Sequence, residues 1–159
     1  MSSANDKTNV MRLLENAKIP FERRSFDPEA PNGQEIARIL GEDPSRVFKT
    51  LVTVGKSNAH YVFMVPVCME LDLKKAAAAA GEKSIEMVKS RELLGLTGYV
   101  HGGCSPIGMK KPFRTTVDEA VSLFDSILFS GGRRGEMVEV AVEGLRRLVP
   151  FGIADVTKP

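Results

Sequence analysis

The chain has 159 residues, 43% of them hydrophobic, 26% charged and 6% aromatic, a composition that excludes disordered, collagen-like and disulfide-dense classes. Lys and Arg number 22 against 20 Asp and Glu, a formal charge of +2, too balanced for a protein that coats nucleic acid by bulk electrostatics. No apolar run reaches the roughly 18–20 residues that would span a membrane, and the residues from Met1 to Lys7 have no apolar leader core.

A chain of this length buries roughly 68–70% of its unfolded surface, so one domain over residues 1–159 is expected, with no need of disulfides or structural metal. Cys68 lies in an apolar run and Cys104 in a glycine-rich loop, which fits neither a disulfide framework nor paired zinc ligands. The expected compartment is a reducing cytoplasm, and no metal or cofactor is expected.

In chain order, Val10, Leu13, Leu14 and Ala17 recur at helical spacing before Pro20, predicting a first amphipathic helix, and a strand follows over Phe21 to Phe26. Asn32 with Glu35 reads as a capping box, and Gly41 as the left-handed end of a second helix. Val47 to Val54 and His60 to Val67 read as two buried strands of a hairpin around a Gly55-Lys56-Ser57-Asn58 turn. Asp72 caps a helix that stops at Gly81, and Ser90 caps a shorter one ending near Gly95 or Gly98. Beyond a loop come a segment from Phe113 to Thr116, a helix over Asp118 to Phe124, and strands over Ser126 to Ser130 and Glu136 to Val142. A helix over Glu143 to Leu148 and a strand over Phe151 to Val156 close the chain. The connections are too short for regular βαβ winding, so the expected fold is α/β with a mixed, curved or barrel-like sheet surrounded by short helices.

Three features carry chemistry. Lys49 interrupts an apolar strand on the face of Val47 and Leu51, so its charge lies at a sheet edge, reaches water along its stem, or points into a polar cleft. The loop Gly102 to Gly108 exposes consecutive backbone N–H groups that can cradle a phosphate or an oxyanion, with Ser105 offering a hydroxyl and Pro106 fixing the chain. A plain structural turn is the alternative. The turn Ser130 to Gly135 carries Arg133 and Arg134, which with Lys110 and Lys111 form a cationic rim for a phosphodiester or stand as solvated charges. Cys104 near His101 suggests a nucleophile and base, but no third orienting group is evident. Cys68 reads as a small core residue and His60 as structural or exposed.

Taken in order, VFKTL over 47–51, LDLKK over 71–75, TGY over 97–99, GGCSPIGMKK over 102–111 and SGGRRG over 130–135 resemble the YbaK family of free-standing aminoacyl-tRNA editing proteins. These are Cys-tRNA(Pro) deacylases, relatives of the editing insertion domain of bacterial prolyl-tRNA synthetases. The resemblance implies a metal-free and cofactor-free aminoacyl-tRNA deacylase that clears mischarged tRNA(Pro). Lys49 matches the family's essential lysine and would hold the phosphate of the 3′-terminal nucleotide. Gly102 and Gly103 match the loop whose amides face the aminoacyl carbonyl, and Tyr99, Ser105, Pro106, Lys110, Lys111, Arg133 and Arg134 fall in the matching substrate-binding segments.

The implied chemistry needs no protein nucleophile, since the ester is already activated and the substrate's own cysteine thiol is thought to attack it. Cys104 is then a bystander. A small pocket around Phe26, Met64, Pro66 and the glycine loop would take the side chain. Phe26 stands where the family has a tyrosine, and Met137 where it has an acidic residue, so this pocket is more apolar, and alanine or another small side chain is an alternative to cysteine. The partners implied are the acceptor 3′ end of aminoacyl-tRNA and prolyl-tRNA synthetase, with no membrane. A non-catalytic binding module for either partner is the second reading, and a thiol redox protein the third.

Overall fold

The computed structural model describes residues 6–30 and 32–159; of the N-terminal segment read above, residues 1–5 lie outside the described residues. Helix α1, Asn9–Asn16, starts at Thr8, whose hydroxyl accepts from Met11 N–H, and buries Val10, Met11 and Leu14. Strand β1 is Phe21–Ser25. In helix α2, Gly33–Leu40, Asn32 accepts from Glu35 N–H and Gly41 closes the helix at φ 69°. The box is only half made, because the Glu35 carboxylate pairs forward with Arg38.

The hairpin forms as β2, Phe48–Gly55, and β3, His60–Pro66, in antiparallel register with Lys49 opposite Val65 and Val54 opposite His60. Asp72 accepts from Lys74 and Lys75 N–H at the start of α3, Leu73–Ala80, and Gly81 ends it. Helix α4, Ser90–Thr97, begins one residue earlier than expected: Lys89 is the cap, so Ser90 is inside the helix and makes no capping bond. The segment expected as a helix over Asp118 to Phe124 is a 3-10 turn, Glu119–Leu123, started by Asp118. Helix α5 is Val142–Leu148.

Short strands β4 (Glu70–Leu71) and β5 (Ile85–Met87), and the strand at Thr157–Lys158, were not legible in the hydrophobic pattern, being too short to show a period. The remaining strands are β6 (Arg114–Asp118), β7 (Ser126–Ser130), β8 (Glu136–Ala141), β9 (Phe151–Ala154) and β10 (Thr157–Lys158). They form a mixed sheet in the order β5-β2-β3-β6-β9, an antiparallel sheet β1-β8-β7, and the pair β10-β4. Pairing of β3 with β6 and of β6 with β9 is parallel, as the long connections require.

The sheet is mixed, as expected, but no barrel closes. The two larger sheets meet at one parallel bridge, Val47 with Leu128, after which β7 pairs no further along β2. Between them lies the main core, where Phe48, Met64 and Val117 of one sheet meet Ile127, Phe129, Val138 and Val140 of the other, with α1 and Leu145 of α5 closing the ends. On the other side of β3, Ala76, Ala77 and Ala80 bring α3 against Phe63, Val65 and Leu71. Cys68, read as a core residue, is exposed, because the chain turns outward between β3 and β4.

Candidate functional site: an anion-accepting cleft on a strand edge

Where the two sheets part company, a cavity of about 1020 Å³ opens. Five consecutive residues of β2, Phe48 to Val52, line it. A pocket on a sheet face would meet only every second residue, so the cavity lies against the edge of β2. Lys49 and Leu51 border it from one face, and Phe48, Thr50 and Val52 from the other. This decides among the readings of Lys49: it sits at a sheet edge that is also a cleft wall.

Lys49 is half-buried, and its side chain forms no ion pair or hydrogen bond among the described residues. Arg134, exposed, stands at the same cleft and forms no ion pair among the described residues. Among the described residues, no aspartate or glutamate lines the cavity. Two uncompensated cations beside low-dielectric walls focus a positive potential into the cleft, which suits an anionic ligand.

The two glycine turns, 30 residues apart in the chain, are in contact. A Cβ on Gly103 would lie 2.9 Å from Arg133 Cα, so only glycine allows the backbones to approach this closely. Gly103 N–H donates to Val100 O at 3.0 Å and Gly102 has φ +88°, with His101 at negative φ, which defines a type II turn. Gly103 N–H is therefore held inside the turn. Gly102 N–H and Cys104 N–H donate to no acceptor among the described residues, and both residues line the cavity.

The other expected site residues divide. Phe26 and Met137 line the apolar end of the cavity with Ile36 and Val67. Tyr99 is outside it, packed between Gly108 and Gly132 and donating its hydroxyl proton to Ile107 O; it clamps the two turns together. Burial, with a smaller contribution from Cys104, pushes its phenol up to about 12. Ser105 is fully buried, its hydroxyl accepting from Ile107 N–H, and Pro106 is buried beside it, so neither reaches the cavity. Lys110 and Lys111 are exposed outside the lining, with the Lys110 stem beside Gly98. Arg133 turns away from the cleft, donating to Asp6 O at 2.7 Å and lying 3.6 Å from Glu136. Met64 and Pro66, expected around the side-chain pocket, are buried and do not line it, because alternation on β3 turns Met64 into the main core.

Cys104 is buried, and desolvation pushes its thiol up to about 12 despite a hydrogen bond with Thr97. A thiol held neutral in this way is neither a nucleophile nor a redox group at neutral pH. Glu136 is the buried carboxylate nearest the second turn in sequence. Burial alone would raise it, but Arg23 at 2.9 and 2.8 Å, Ser25 at 2.8 Å and the charge of Arg133 hold it below the ordinary range. It anchors the turn that presents Arg134. Among the described residues, no group of three His, Cys, Asp or Glu side chains could hold a metal ion, and no helix is long and apolar enough to cross a membrane.

Comparison with known proteins decides the family. The aminoacyl-tRNA editing domain family matches residues 27–148. The chain belongs to this family. It is 41% identical over 153 residues to EbsC of Enterococcus faecalis, named as a candidate Cys-tRNA(Pro)/Cys-tRNA(Cys) deacylase, covering 95% of this chain and 93% of that protein. It is 23% identical over 107 residues to the proline–tRNA ligase of Thermosipho melanesiensis, covering 67% of this chain and 19% of the ligase. Among solved structures it superposes with a TM-score of 0.79, at 24% identity and 87% coverage of each chain, on a candidate trans-editing enzyme for prolyl tRNA synthetase.

Two features of this editing domain were missed by sequence reasoning. Asn32, Gly33 and Gln34, at the start of α2, form part of the cavity wall; their capping signal was legible, their position was not. Thr50 lines the cavity as well, and its Oγ1 is buried without a hydrogen-bond partner. Nothing in a Thr within a β-branched strand distinguishes it from its neighbours.

Proposed function

We propose that this editing domain is a deacylase acting in trans on mischarged tRNA(Pro), with Cys-tRNA(Pro) as its principal substrate and prolyl-tRNA synthetase as the protein that delivers it. The observation that carries the reading is the cleft itself: Lys49 without a counter-ion, beside a glycine turn with a vacant amide, on a wall without carboxylates. The name of EbsC supports the substrate, and the likeness to a proline–tRNA ligase supports the partner.

Lys49 holds the phosphate of the terminal nucleotide as a charge-assisted contact, and Arg134 guards the mouth. The aminoacyl ester then lies across the cleft with its carbonyl oxygen on Gly102 N–H. As the carbonyl is attacked its oxygen gains negative charge, and the fixed amide binds that charge more strongly than the ground-state carbonyl. For a cysteinyl ester, the substrate sulfur forms a bond to its own carbonyl carbon and the ester C–O bond breaks. The thiol proton passes to the departing ribose oxygen, and water then opens the thioester. No protein nucleophile enters, consistent with the neutral, buried Cys104. The side chain faces Phe26, Ile36, Val67 and Met137, an apolar end that accepts a small thiol or methyl group.

Release of amino acid from Cys-tRNA(Pro), Ala-tRNA(Pro) and Pro-tRNA(Pro) tests the reading. Cysteine release that is fastest and that falls about 10–150-fold in Lys49→Ala is expected. Saturable tRNA binding with no release from any substrate would replace it with a non-catalytic binding module.

A further inference from the structure

The edge of β2 is open around Thr50. Val67 N–H donates to Val47 O and Gly55 N–H to Ala59 O, so the alternation of an antiparallel ladder directs the N–H and C=O of Val47, Lys49, Leu51, Thr53 and Gly55 toward β3. Those of Phe48, Thr50 and Val52 face the opposite edge. There, β7 reaches β2 only at the Val47 bridge, beside Phe48, while Val88 N–H occupies Val52 O where β5 begins its pairing. Thr50 lies in the gap between two neighbouring strands. No strand pairs with it on this edge among the described residues, so its N–H and C=O are directed into the gap, which faces the cavity that Lys49 and Gly102 line. Its own Oγ1, buried nearby, is unpartnered. Unpaired polar groups clustered at a cleft call for an occupant that pairs them.

An extended residue with free N–H and C=O on one side is matched by one residue of a partner strand, which offers a donor and an acceptor about the same Cα. An aminoacyl ester carries that pair: an α-ammonium donor and a carbonyl acceptor on one Cα. We propose that Thr50 is a positioning and specificity-determining residue that recognises the aminoacyl group as the missing one-residue strand, its C=O accepting from the α-ammonium and its N–H donating to the ester carbonyl. This deepens the deacylase reading and rests on it. Gly103 N–H is closed within its turn, so Thr50 N–H joins Gly102 N–H as a donor to the developing oxyanion. The arrangement selects for a free α-amine and leaves the side chain to be sorted at the apolar end.

The probe is alanine joined through an amide bond to 3′-amino-3′-deoxyadenosine 5′-phosphate, a stable analogue of the charged terminus, compared with its propionyl counterpart, which lacks the amine. Binding is read by NMR and amide hydrogen exchange on the full chain. In the free protein Thr50 N–H exchanges faster than its β3-paired neighbours Lys49 and Leu51. On saturation with the alanyl probe its exchange slows at least about tenfold and its resonance moves, while the propionyl probe binds at least about tenfold more weakly, the loss of one hydrogen bond to a charged group. Saturation of both probes with equal affinity, or with Thr50 exchange unchanged while cysteine is still released in a Lys49-dependent way, would overturn the Thr50 assignment alone. Absence of both probe binding and deacylation would overturn the deacylase reading and this assignment with it.

Discussion

Gly103 and Arg133 touch backbone to backbone, and that contact makes one site of two turns far apart in the chain. With a Cβ 2.9 Å from Arg133 Cα, Gly103→Ala must separate the turns. The expected cost is about 1–3 kcal/mol of stability, as for overpacking elsewhere, together with a loss of deacylation larger than the loss of fold. Urea unfolding and single-turnover release on the same preparation measure the two separately. A variant of full activity would show that the contact does not set the cleft.

Lys49→Ala should separate function from stability in the opposite sense. The ammonium has no protein partner to lose, so the midpoint of thermal unfolding should be unchanged or slightly raised. Loss of one contact to a charged phosphate, about 1.5–3 kcal/mol, predicts a fall of about 10–150-fold in kcat/KM, and a weaker dependence of KM on ionic strength than the parent shows.

Glu136 sets an acid limit. Its folded pKa lies below its unfolded value of about 4.3, so its contribution to stability is present above that value and lost as pH falls through the folded pKa. Glu136→Gln should therefore be destabilised at pH 7, toward the lower end of the ~3–5 kcal/mol for breaking a buried pair because Arg23 is partly exposed. The difference should shrink below about pH 4. Denaturant titrations at pH 3, 5 and 7 give the curve, and a gap independent of pH would refute the linkage.

The cysteines should behave as opposites. Cys68 is exposed and Cys104 buried with its thiol pushed up to about 12, so iodoacetamide at neutral pH should modify Cys68 in the native protein and reach Cys104 only after unfolding. Mass spectrometry of the digested protein reads both sites. Cys104→Ala should retain deacylation within about threefold, consistent with a rate change of well under 1 kcal/mol. Loss of activity in that variant would return the thiol to the mechanism.

Much of the fold was legible because it depends on neighbours in the chain. Asn32, Gly41, Asp72 and Gly81 mark helix ends through bonds to amides and carbonyls within a few residues, and the β2–β3 hairpin follows from its turn chemistry and branched side chains. The errors arose where tertiary contact overrides local pattern. Ser90 is a good cap that the helix start bypasses, Cys68 leaves the core because its strand ends at Pro66, and Met64 and Phe26, both apolar, go to core and cleft respectively.

By itself the sequence determined the α/β character, the order of the elements and the family, the last through spaced motifs that span most of the chain. Tertiary structure alone decided which motif residues line the cleft. Lys49, Gly102 and Arg134 meet at one cleft while Lys110, Lys111, Arg133 and Ser105 do not. The reason is that pairing of β2 with β7 stops after one bridge and resumes with β5 only past Thr50. Whether a strand edge is closed or open depends on where a distant strand ends its pairing, and no local property of residues 47–52 records it.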